Sequence, residues 1–194
     1  MCGIAGFISK DNSNTAESEA RLDAMCKIIT HRGPDEQGTN VGGKAALGMR
    51  RLSIIDLKGG QQPIFNEDNS MFIVFNGEIY NFQELREDLL KRGYKFKTHS
   101  DTEVILHAYE EFGEACLEYL RGMFAFAIWN KKDESLFIAR DRVGKKPLFY
   151  SLTKAGNFVF GSELKVLLEH GEIFRDIDSS ALDSDVTFAY VPEE

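Results

Sequence analysis

The sequence predicts one α+β domain with antiparallel sheet, on three observations. Candidate strands come in pairs around short polar turns, as at residues 130–135 and 154–157. Helical segments fall in blocks between those pairs, whereas a parallel α/β fold alternates strand and helix strictly. Finally, 194 residues with 43% hydrophobic content are enough to bury a substantial core without disulfides or a structural metal, and no repeat, low-complexity tract or interior linker divides them.

In chain order, residues 2–8 read as a small-residue apolar strand. Residues 17–29 form an amphipathic helix with Leu22, Met25, Cys26 and Ile29 at spacings of three and four, ended by the turn around Gly33-Pro34. Residues 44–55 and 71–75 are strand candidates. Asn76-Gly77 reads as a hairpin or loop turn, because both residue types tolerate positive φ. Asn81 with Glu84, and Ser100 with Glu103, are spaced as capping boxes. They open one helix carrying Phe82, Leu85 and Leu89 that stops near Gly93, and another through Ile105, Ala108 and Phe112. After a short helix around Leu117 come strands at 124–129, 136–140, 147–152 and 158–161, then a last helix at 163–170.

Composition excludes several functions. With 23 basic and 31 acidic residues the net charge is −8, a surface that repels phosphate backbones and argues against nucleic-acid binding. The basic cluster Arg140, Arg142, Lys145 and Lys146 lacks the glycine and Ser/Thr pattern of a phosphate loop and reads as a solvated turn. No segment approaches the roughly 20 apolar residues of a membrane span, and the N-terminus lacks a signal-peptide pattern, so a cytoplasmic enzyme is the default expectation. His99, His107 and His170 show no metal-like spacing and read as solvated or helix-face residues, and no metal site is expected. Cys26 and Cys116 sit in apolar helical patterns as buried thiols.

Cys2 stands apart. It follows the initiator Met and precedes Gly3, and a small second residue permits removal of Met1. The exposed cysteine would then carry a thiol nucleophile and a free α-amine able to shuttle its proton, groups that ordinarily titrate at about 8.5 and about 7.7–8.0. By itself this feature reads more readily as an incidental cysteine in a terminal strand.

Eight segments taken in order change that reading: MCGIAGF at 1–7, HRGPD at 31–35, RLSIID at 51–56, NGEIYN at 76–81, SDTEVI at 100–105, GMFAFAIW at 122–129, ARDRVGKKPLFY at 139–150 and FGSELKVLL at 160–168. Together they resemble the class II glutamine amidotransferases, and within them the glutaminase domain of glutamine-hydrolysing asparagine synthetases. The resemblance covers nearly the whole chain. It implies a four-layer αββα sandwich of the N-terminal nucleophile hydrolase type. It also implies hydrolysis of the side-chain amide of L-glutamine through a Cys2 thioester. Asn76, by its side chain, and Gly77, by its backbone N–H, match the family's oxyanion hole. Arg51 would bind the substrate carboxylate, Glu78 and Asp101 its ammonium, and Leu52, Ser53, Ile54 and Ile55 would line the pocket. The turn His31 to Asp35 is expected to brace the nucleophile strand, with the α-amine serving as base in place of His31.

The resemblance further implies that a C-terminal synthetase domain, absent here, consumes the ammonia and alone uses ATP and Mg²⁺. The expected partners are therefore L-glutamine and that domain, with no cofactor for this chain and room for a homodimer. Two other readings stand beside this one: a glutaminase feeding a different acceptor, and a glutamine-binding module without catalysis. Retention of Cys2, Arg51, Asn76, Gly77 and Asp101 argues against the second.

Overall fold

The computed structural model describes residues 2–11, 15–53 and 59–191. Two antiparallel sheets face each other and helices cover their outer faces, giving the expected αββα sandwich. The first sheet is ordered β2-β3-β1-β9-β8 from strands β1 (Gly3–Ile8), β2 (Glu36–Gly42), β3 (Ala45–Arg51), β8 (Phe149–Leu152) and β9 (Phe158–Gly161). The second is β4-β5-β6-β7, from β4 (Ile64–Phe65), β5 (Met71–Ile79), β6 (Gly122–Asn130) and β7 (Ser135–Arg140). Helices α1 (Thr15–Lys27) and α5 (Leu164–Glu169) pack on the first sheet. Against the second lies α3 (Asp101–Phe112), with α2 (Phe82–Lys91) packed on α3. A short α4 (Cys116–Tyr119) also contacts α3.

Period-two alternation sorts the side chains into layers. On β5, Phe72 and Val74 point between the sheets, while Ile73 and Phe75 point to the α3 side. On β6, Ala125, Ala127 and Trp129 face inward and Phe124, Phe126 and Ile128 outward. On β1, Ile4 faces the other sheet, and Ala5 and Phe7 pack with Leu22, Met25, Cys26 and Ile29 of the α1 region. Each fully buried Phe of this kind contributes about 1.5–3 kcal/mol.

Several expectations need correction. Asn76-Gly77 is not a turn: β5 runs through it, with Asn76 opposite Ala125 and Gly77 opposite Phe124. The glycine serves close approach instead, since a Cβ there would lie 2.2 Å from Met123 O. The Asn81–Glu84 box does not form. The Asn81 side chain donates to Tyr119 O and accepts from Arg121 N, fastening α2 to the start of β6. The second box forms by half: Ser100 Oγ accepts from Thr102 N, but Glu103 reaches back past Ser100 to Lys97 and Thr98.

The strand expected at 44–55 ends at Arg51, and Ile54 and Ile55 lie outside the described residues. Strands β2 and β4 were not expected, nor was a further helix, α6 (Ser179–Phe188), after the one expected to be last. His107 does sit on a helix, α3, but is buried there, and His170 and Lys146 are buried too, not solvated, because neighbouring segments close over them. Among the described residues no helix is long and apolar enough to cross a membrane.

Candidate active site

The pocket is the inter-sheet layer continued past its apolar end. On β1, β3, β5 and β6 the inward-facing residues Ile4, Met49, Val74 and Ala125 close the core. Two residues further along the same faces stand Cys2, Arg51, Asn76 and Met123, and all four line a pocket of about 260 Å³. The ladders put these positions at one end of the sandwich: Gly3 pairs with Arg50, and Glu78 pairs with Met123. Leu52, Gly77, Glu78 and Asp101, also expected here, lie at the same wall.

Cys2 is half-buried, and its Sγ lies 3.4 Å from Leu52 N, which donates to it, and 3.6 Å from Leu52 O. Its carbonyl accepts from Arg32 Nε at 2.9 Å. Arg32 is held in turn by Glu163 at 3.1 Å, which also meets His31 at 2.9 Å and Lys165 at 3.1 Å. Burial pushes the Glu163 carboxyl up, but its bonds to Arg32, Lys165 and His31 outweigh it and bring it to about 2. Asp35 accepts from Ser53 N and donates its own N–H to Arg51 O. Gly33 lies so close to Arg50 that a Cβ would meet its carbonyl at 2.3 Å, a contact only glycine permits. The 31–35 turn thus fastens the ends of β1 and β3 that present Cys2 and Arg51.

Asn76 is fully buried, and among the described residues neither Oδ1 nor Nδ2 has a hydrogen-bonding partner. A buried amide in that state costs about 1–3 kcal/mol, so the position needs an explanation beyond folding. Its place in the pocket wall supplies one: an amide that donates to a ligand carbonyl.

Arg51 is also buried, and its Nη1 donates to Glu36 at 2.9 Å, which orients the guanidinium at the wall. Asp101, the first residue of α3, accepts from Ile79 N at 3.0 Å. Burial first, and then the charge of Glu78, push its carboxyl above the usual range. A ligand ammonium between Asp101 and Glu78 would offset both effects.

Ser53 does not line the pocket; its backbone serves Asp35. Sequence reasoning missed Gln62, Thr102, Met123 and Lys146, which do. Gln62 accepts from Phe75 N at 2.6 Å and donates to Phe75 O and to Thr102 Oγ1, joining β5 to the start of α3 beside Asn76. Met123 was recoverable from its parity with Ala125. For Gln62 and Lys146 no local pattern carries a signal. No group of three or more His, Cys, Asp or Glu side chains among the described residues is placed to hold a metal ion.

Comparisons with known proteins bear on the family and the fold. The family model described as "glutamine amidotransferase domain" matches residues 1–194. The chain is 46% identical to a glutamine-hydrolysing asparagine synthetase of Bacillus subtilis, over 100% of this chain and 30% of that protein. It is 40% identical to one from Oryza sativa, over 90% of this chain and 29% of that one. The chain therefore spans about 30% of the length of such curated relatives. Among solved structures, a glutamine phosphoribosylpyrophosphate amidotransferase from B. subtilis superimposes with a TM-score of 0.69 at 23% identity, covering 88% of this chain and 44% of that one.

Proposed function

The chain belongs to the glutamine amidotransferase domain family, in its class II form, and from that premise we propose that it hydrolyses the side-chain amide of L-glutamine at the Cys2 pocket. The observation that carries the reading is the buried, unpartnered Asn76 amide in the same pocket wall as the Cys2 thiol.

The Cys2 thiol passes its proton to the α-amine that removal of Met1 exposes, and the sulfur attacks the amide carbonyl carbon. Negative charge develops on the carbonyl oxygen, where Asn76 Nδ2 and Gly77 N–H donate to it. Preorganised donors act there without reorganisation, each lowering the barrier by roughly 3–4 kcal/mol. The α-ammonium then protonates the leaving nitrogen, and ammonia departs from a γ-glutamyl thioester. Water, deprotonated by the same amine, attacks the thioester through the same oxyanion site, releasing glutamate and restoring the thiol. Arg51 holds the α-carboxylate, and Asp101 and Glu78 hold the α-ammonium. The family's relatives support a larger role, in which the ammonia is consumed by a synthetase domain of a longer chain to make asparagine. ATP and Mg²⁺ belong to that domain's chemistry, not to this pocket.

The test is glutamate release from glutamine, with asparagine as the competing substrate. Asparagine is one methylene shorter, and packing alone should disfavour it by about 10–200-fold in kcat/KM. Absence of glutamate release, or equal turnover of the two amides, rejects the assignment.

A further inference from the structure

Behind Asp101, away from the pocket, lies an ion cluster that the reaction does not use. His107 and Glu103 on α3 are each 1% exposed, with His107 Nε2 3.6 Å from Glu103 Oε1. His107 Nδ1 is 2.7 Å from Glu110, at the cluster's rim. The rings of Tyr94 and Phe96 close over the imidazole at 5.2 and 4.8 Å between centroids, and the Arg86 guanidinium lies over the outer ring, Phe96. Glu110 also accepts from Asn66 Nδ2, whose backbone carbonyl takes Lys97 Nζ.

Glu103 spends its carboxylate on the segment entering α3. One oxygen accepts from Lys97 N at 2.8 Å, and the other from Thr98 N and Thr98 Oγ1 at 2.7 and 2.6 Å. Thr98 Oγ1 accepts from Ser100 N, and Ser100 Oγ from Thr102 N. The line of contacts runs from His107 through Glu103 and Thr98 to Ser100, and ends at Asp101 and Thr102 in the pocket wall. Removing water from a carboxylate is costly unless a cation and hydrogen bonds compensate, and here both do. Burial alone would lower His107 and raise Glu103. Their mutual attraction, Glu110, and the Lys97 and Thr98 donors outweigh it, holding the imidazole at about 9 and the carboxyl at about 2.

We propose that the buried His107–Glu103 pair positions Asp101, and so sets how tightly the site grips the α-ammonium of its substrate. His107 is a positioning residue, since it touches neither substrate nor reacting atoms. The inference rests on the glutaminase reading of the pocket.

The test compares glutamine with glutaramate, the same amide and carboxylate without the α-amino group, on wild-type chain and on His107→Gln. A contact made equally in ground and transition states appears in KM and leaves kcat alone. The variant should therefore raise the glutamine KM about ten-fold with kcat within about two-fold, while its kcat/KM for glutaramate stays within about two-fold of wild type. Removing one partner of a buried pair is strongly destabilising. If the His107→Gln chain does not fold, Glu110→Gln at the rim should show the same split. An unchanged glutamine KM, or equal losses on both substrates, overturns the positioning role while leaving the glutaminase reading intact. A wild-type chain that releases no glutamate overturns that reading, and this one with it.

Discussion

Replacing Cys2 with alanine is expected to lower glutamine turnover by a factor on the order of 10⁵–10⁶, the scale on which deletion of a covalent nucleophile acts. No other thiol can substitute. Cys26 and Cys116 are buried in helix–sheet packing, and burial pushes both up to about 12, so neither supplies thiolate near neutral pH. Glutamine binding should survive, because Arg51, Glu78 and Asp101 are untouched and the removed sulfur bonds to the Leu52 backbone, not to any of those three. Stopped glutamate release together with calorimetric binding would show both halves. Turnover within ten-fold of wild type would leave the thioester route untenable.

Asn76→Ala should lower kcat by about 10²–10³-fold, the usual cost of deleting one oxyanion donor. Its effect on stability should run the other way from most buried substitutions. The Asn76 amide meets no hydrogen-bonding partner among the described residues. Removing it relieves a penalty of about 1–3 kcal/mol, which offsets the packing lost with the side chain. The expected result is a crippled enzyme whose thermal midpoint is unchanged or raised, a trade of stability for function of the kind active sites make. A variant that unfolds readily, or one that retains kcat within about three-fold, would show that Asn76 serves the fold and not the reaction.

The same residue shows where sequence reading succeeds and where it stops. Continuous apolar runs made β1 and β6 legible, since both are buried on two faces, and spacings of three and four did the same for the buried face of α1. At Asn76-Gly77 composition pointed to a turn. The deciding fact is tertiary: Gly77 is needed because the backbone of β6 lies against it. Strand β2 reads EQGTNVG, with few β-formers, and takes its conformation from pairing along β3 from end to end. Helix α6 buries none of its residues, so no apolar stripe announced it.

The site followed a similar division. Motif order brought Cys2, Arg51, Asn76, Gly77, Glu78 and Asp101 to attention, and the fold gathers them in one pocket. Their supports were invisible. His107 lies within the apolar run of α3 and Lys146 in a polar turn, and in neither case does the local pattern say what the polar side chain meets. Glu103 had the spacing of a capping box, yet its carboxylate went to Lys97 and Thr98, a choice fixed by the chain's path before α3.

At the centre of the account, one residue supplies both the attacking sulfur and the amine that carries its proton. The most direct measurement compares glutamate release by a chain beginning at Cys2, verified by intact mass, with that of a chain keeping one uncleaved residue ahead of it. The account predicts that the blocked chain loses at least about 10²–10⁴-fold in turnover, the range that positioned proton transfer contributes, although its thiol is intact. Equal turnover by the two chains would contradict it.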